Sequence, residues 1–77
     1  NIKMDEQELA LAFGVKLRQK RRQVDITQQE LADLVGVTRI YISMIERGET
    51  SITLEKVYRL AKALNCTLSE ILPQDTE

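Results

Sequence analysis

Residues 28–46, QQELADLVGVTRIYISMIE, decide how the rest of the chain is read. Thr27 stands just ahead of them and Glu30 follows three residues later, the spacing of a capping box that opens a helix. Leu31, Ala32 and Val35 fall on one helical face. Gly36 comes next, where a helix end favours a residue that takes a positive φ without strain. Thr38 then caps a second short helix. Its Ile42 and Ile45 turn inward, and Arg39, Ile40, Tyr41, Ser43 and Met44 are left to face outward or sideways. Ala32 is small, as a close crossing of the two helices requires.

Two short helices joined at a glycine form the helix-turn-helix unit, whose second helix can enter the major groove of DNA. The longer stretch TQQELADLVGVTRIYISMIERGET resembles the Xre/Cro-like helix-turn-helix regulators: phage repressors and Cro proteins, restriction-modification controllers and antitoxin repressors. The resemblance rests on Thr27-Gln28, Glu30-Leu31-Ala32, Gly36-Val37, Ile42-Ser43 and Glu46-Arg47-Gly48, and runs from about Phe13 to Leu72. It implies an all-α, compact five-helix, lambda-repressor-like domain that binds double-stranded DNA, without catalysis.

Composition fits one small domain over residues 1–77, ordered over about 5–72 with a tail at 73–77. Aromatic residues are only 4% of the chain, so the core must be aliphatic. One Cys and no His exclude a disulfide framework and a His/Cys metal site, and remove the commonest general base. No cofactor is expected. No run approaches a membrane span and no secretory leader is visible, so a cytoplasmic setting is expected. Asn1 is no initiator, so Asn1-Ile2-Lys3 reads as an appended segment before a natural start at Met4. The net charge of −1 is unevenly spread: residues 16–47 carry seven cations against four anions, while both flanks are acidic. A local patch rather than total charge governs attraction to phosphates.

A first helix is predicted from about Asp5 to Gln23, with Leu9, Ala12, Phe13 and Leu17 as its buried stripe and Gly14 as a tolerated weak point. Its acidic start and its basic end, from Lys16 to Arg22, both suit the helix dipole. Val24-Asp25-Ile26 connects to the motif, and Asp25 stands where the resemblance favours Gly or Asn, so some strain is expected there. After Gly48 comes a polar loop, from which Ile52 turns inward. A fourth helix, about Leu54 to Leu64, buries Leu54, Val57, Leu60, Ala61 and Leu64 and ends at Asn65. Thr67 with Glu70 opens a short fifth helix, Leu68 to about Leu72, stopped by Pro73. Cys66 reads as a half-buried filler.

Arg39 is the leading base reader, because a guanidinium can bond guanine O6 and N7 together. Ile40 and Met44 can touch thymine methyls, and Ser43 can bond a base edge or a phosphate. Thr27, Gln28, Thr38, Tyr41, Arg18, Arg21, Arg22, Arg47, Thr50 and Ser51 are candidate contacts to the DNA backbone. The resemblance implies that Gln28 bonds a phosphate and buttresses the second helix, and that Glu46 pairs with Arg21 to lock that arginine toward a phosphate. One such helix reads only a few base pairs, so a two-fold homodimer on a palindromic operator is expected, through Tyr58, Leu64, Leu68, Ile71 and Leu72. Ordinary alternatives stand beside these: Arg39 as a plain surface cation, Met44 and Tyr41 as packing residues, the last apolar residues as a cap on the monomer core. The other functional reading is an antitoxin whose main partner is a toxin protein. The short acidic tail offers little surface for one.

Overall fold

Each α-helix begins on an oxygen-bearing cap and ends on a left-handed residue, and the computed structural model, which describes residues 4–74, shows how these punctuation marks fix the fold. The helices are α1 (Glu6–Gln23), α2 (Gln28–Val35), α3 (Arg39–Glu46) and α4 (Leu54–Ala63), followed by a 3₁₀ turn at Leu68–Glu70. The side chains of Asp5, Thr27, Thr38 and Thr53 accept from backbone N–H groups in the first turns of α1, α2, α3 and α4, satisfying donors that would otherwise be orphaned. Asp5 also completes a capping box with Glu8, so it caps α1 rather than starting it.

Asp25, Gly36, Gly48 and Asn65 take φ of 60°, 84°, 71° and 53° just past the four helices. The residue after each donates back into the helix it follows: Ile26 to Arg21, Val37 to Ala32, Glu49 to Met44 and Cys66 to Ala61. These are the six-to-one bonds of Schellman-type ends. The chain therefore reverses sharply four times, and three of the following residues (Ile26, Val37, Cys66) pack against the core.

That core is aliphatic. Leu17, Leu31, Ile42, Ile45, Leu60 and Ile71 are its largest fully buried side chains, with Phe13, Ala32, Val35, Val57, Ala61 and Leu64 completing it. α3 lies against both α1 and α2, and α4 lies against α2. At the α1–α3 crossing Gly14 is buried, and a Cβ placed there would stand 2.5 Å from the Ile45 carbonyl oxygen and 2.6 Å from that of Glu46. The glycine that weakens α1 as an isolated helix is what lets α3 pack onto it.

Several expectations are corrected. The fifth α-helix is a single 3₁₀ turn, so the described residues hold four α-helices and no strand. Pro73 disfavours the α conformation at Leu72, leaving too few residues after Thr67 for a lasting α-turn. Leu54 is 69% exposed and Leu9 37%: Leu54 is the first residue of α4, a turn short of the core, and Leu9 borders an open groove beside Phe13. Leu64 and Ile71, expected at a dimer face, are buried in the monomer core at 2% and 0% exposure, so their side chains are committed. The expectations for residues 1–3 and for the tail at 75–77 concern residues outside those described.

Candidate nucleic-acid interface

α3 is aimed by its two ends. Thr38 Oγ1 accepts from the Tyr41 N–H at 3.1 Å, and Gly48 reverses the chain at the other end. Ile42 and Ile45 anchor the helix in the core. What remains on the outer side is Arg39, Ile40 at 65% exposure, Ser43 and Met44, the last two half-buried. Tyr41 is also half-buried and packs against the core, with the Lys56 ammonium 5.9 Å from its ring centroid. Lys56 therefore stands beside α3, a neighbour that nothing in the sequence around position 56 indicated.

Beneath this surface lies a hydrogen-bonded chain. Arg21 Nε donates to Glu46 Oε2 at 2.6 Å and Nη2 to Glu46 Oε1 at 3.1 Å. Arg21 Nη1 donates to the Ile26 carbonyl at 2.9 Å. The Glu46 side chain is 3% exposed and that of Arg21 11%, so a buried carboxylate meets a forked cation in two parallel bonds, the arrangement that offsets its desolvation. Gln28 Nε2 donates to Glu46 Oε1 at 3.1 Å, and Gln28 Oε1 accepts from Arg39 Nη1 at 3.4 Å. Because a carboxylate can only accept, the Gln28 amide must turn its NH₂ inward and its oxygen outward. Arg21, Glu46, Gln28 and Arg39 are thus brought together from three helices.

The basic run of α1 is divided. Arg21 is spent on Glu46. Lys20 Nζ pairs with Glu70 Oε1 at 2.9 Å, tying α1 to the 3₁₀ turn. Arg18 and Arg22 remain exposed. Arg21 donates from all three of its nitrogens within the chain, in the pairing with Glu46 that the resemblance implies, and two of its five N–H groups are left over. Arg47, a candidate contact to the DNA backbone, is engaged as well: Glu49 takes its Nε and Nη2 at 2.9 Å each, and its Nη1 donates to Ser43 Oγ. Thr27 Oγ1 caps α2 by accepting from the Glu30 N–H, and Thr50 Oγ1 donates to the Ser51 carbonyl. Thr50 and Ser51 border the groove that holds Leu9 and Phe13.

Two carboxyls and a thiol are shifted by these neighbours. The Thr67 backbone N–H, and then the Lys20 ammonium, pull Glu70 down to about 2. Arg47 holds Glu49 below the ordinary carboxylate range. Burial, with Glu70 nearby, pushes the Cys66 thiol up, away from thiolate chemistry. Among the described residues no helix is long and apolar enough to cross a membrane.

The helix-turn-helix family profile matches residues 17–71. Repressor protein C2 of Salmonella phage P22 is 37% identical over 63 residues, which are 82% of this chain and 29% of that protein. Control protein C.SmaI of Serratia marcescens is 38% identical over 56 residues, 73% of this chain and 67% of that one. The crystal structure of the restriction-modification controller protein C.AhdI from Aeromonas hydrophila superposes with a TM-score of 0.85 at 32% identity, covering 90% of this chain and 100% of that one. The chain thus spans under a third of the phage repressor and the whole of one solved controller. With the capped helix pair, the glycine corner and the outward face of α3 in place, this chain belongs to the helix-turn-helix family of DNA-binding transcriptional regulators.

Proposed function

We propose that the chain is a sequence-specific regulator, of the restriction-modification controller or phage-repressor type, that binds a palindromic operator as a homodimer in the cytoplasm and works by binding alone. The observation that carries the reading is the shared face of Gln28 and Arg39. Arg39 extends from the first turn of α3 with one Nη on Gln28, which leaves further guanidinium N–H groups for a guanine edge. Ile40 and Met44 lie beside it for apolar contact with thymine methyls. Arg18 and Arg22, exposed on α1, and the N-terminus of α2 at Gln28 supply phosphate attraction.

The dimer surface rests on α4. Leu54 and Tyr58, 69% and 56% exposed, stand one turn apart on it. Leu68 and Leu72, both half-buried, extend the apolar area toward the chain's end. Two copies related by a two-fold axis would present their α3 helices to half-sites roughly 34 Å apart. Nothing in the site favours the toxin-binding reading.

Selection of bound sites from random duplex DNA, followed by salt titration, tests this. The intact chain is expected to enrich an inverted repeat. Arg39→Ala should relax preference at one base pair per half-site, at a cost of about 1–3 kcal/mol. Arg22→Ala should weaken every sequence alike and reduce the salt slope by about 0.9. Enrichment of no sequence, or sedimentation as monomer at micromolar concentration both free and on DNA, would sink the reading.

A further inference from the structure

α3 leaves the interface through Gly48, whose left-handed turn carries the next residue back over the helix end: the Glu49 N–H donates to the Met44 carbonyl at 2.9 Å. The Glu49 carboxylate is thereby laid along the Arg47 guanidinium, with Nε and Nη2 each 2.9 Å from its two oxygens, while Nη1 is taken up by Ser43 Oγ. Arg39, Ser43 and the C-cap residue Arg47 follow one another at helical spacing of four, along one face of α3 and its end. A phosphate offers an arginine the same bidentate pattern as a carboxylate. The cation at the end of the proposed DNA-facing surface is therefore already occupied by an oxyanion of its own chain. Both side chains are about half exposed, 55% and 51%, so water and ions reach the pair, and it can exchange for another oxyanion without a large barrier of burial.

We infer that Glu49 is a positioning residue that competes with the DNA backbone for Arg47, keeping one phosphate contact out of the complex and lowering the affinity for any duplex. The inference rests on the DNA-binding reading above. Its physical basis is the count of neutralised phosphates: each contributes about 0.9 to the slope of log K against log salt, and Arg47 contributes nothing while Glu49 holds it. Base preference, carried by Arg39 eight residues earlier in the helix, is independent of this exchange. An ordinary glutamate is ionised in the neutral range, and Arg47 holds Glu49 lower still, so the competitor is charged where DNA binding occurs.

The test is a salt titration of the full chain against its selected duplex and against an unrelated one, comparing Glu49→Gln, Arg47→Met and the double variant. Glu49→Gln is expected to raise affinity for both duplexes roughly fivefold at ~0.15 M salt and to steepen the slope by about 0.9. The double variant, which removes both charges of the pair at once, should keep the slope of the unsubstituted chain. The proposal is overturned if the double variant flattens the slope, since Arg47 would then already sit on a phosphate in the unsubstituted chain. It is equally overturned if Glu49→Gln raises affinity as much without Arg47 as with it, since Glu49 would then act as a bare charge. Failure of the unsubstituted chain to bind either duplex with salt dependence would instead remove the DNA-binding reading beneath it, and is seen before any variant is made.

Discussion

Arg39 and Gln28 come from different helices and meet through Arg39 Nη1 and Gln28 Oε1 at 3.4 Å, with the far end of the Gln28 amide held by Glu46. The buried carboxylate thus governs the pose of an exposed guanidinium two side chains away. Glu46 has two tasks, one in stability and one in the aim of α3, and they are separable by experiment.

Glu46→Ala leaves the Arg21 fork buried without its partner, a situation that costs about 3–5 kcal/mol. Urea unfolding should show a correspondingly lower midpoint. The double replacement Arg21→Met with Glu46→Leu removes both charges, and should recover most of that stability because an apolar pair of similar volume is tolerated in such a place. It should not recover the base preference of the intact chain, because Gln28 has lost its anchor. Recovery of both would show that the pair only fills space.

Gly14→Ala sets two effects against each other. Alanine favours an α-helix by about 1 kcal/mol over glycine. The added methyl, however, meets the Ile45 and Glu46 carbonyl oxygens at 2.5 and 2.6 Å, and backbone cannot swing away as a side chain can. Overpacking of this kind costs about 1–3 kcal/mol, so the net change is expected to be destabilising. A thermal melt at or above that of the parent chain would contradict the α1–α3 crossing described above.

Asp25→Gly should move the other way. Asp25 is exposed and holds φ at 60°, a conformation that costs an L-residue roughly 1–2 kcal/mol. Glycine adopts it freely at an entropic cost of about 0.5–1 kcal/mol. A modest rise in the denaturation midpoint is expected, with DNA affinity unchanged. A fall would mean that the Asp25 side chain makes a compensating local bond.

Glu70 gives a pH dependence of known sign. Its carboxyl titrates at about 2 in the folded chain against an ordinary 4.5. Between those values the unfolded chain binds more protons, so the stability Glu70 contributes is complete above about 4.5 and is lost as pH falls toward 2. Glu70→Gln should flatten that part of the acid limb in a plot of unfolding free energy against pH. An unchanged limb would show that the Thr67 N–H and Lys20 contacts are not kept in solution. Because the group lies at the surface, salt should shrink the Lys20 share of the effect first.

The sequence by itself determined the four α-helices, most of their punctuation and the outward face of α3. Such information is local: a cap and its acceptor lie three residues apart, a helix repeats every 3.6 residues, and a left-handed stop falls on Gly, Asn or Asp. Thr27, Gly36, Thr38 and Asn65 could be read that way. The all-α class and the aliphatic core followed from it, while the place of Gln28 against α3 came with the resemblance.

Tertiary structure alone decided how the charges are shared and which apolar residues remain free. Whether an arginine is a post, a clamped cation or a free one depends on what the fold brings against it, and Arg21, Arg47 and Arg22 look alike in one dimension. Glu70 reaches Lys20 across 50 residues, a pair that nothing along the chain indicated, and the Glu46–Arg21 pair across 25 residues was implied only by the resemblance. Leu64 and Ile71 share the apolar character of the exposed Leu54, and only packing sorted the buried from the bare. Gly14 is the clearest case: along the chain it is a flaw in a helix, and in three dimensions it is the gap through which the backbone of α3 passes.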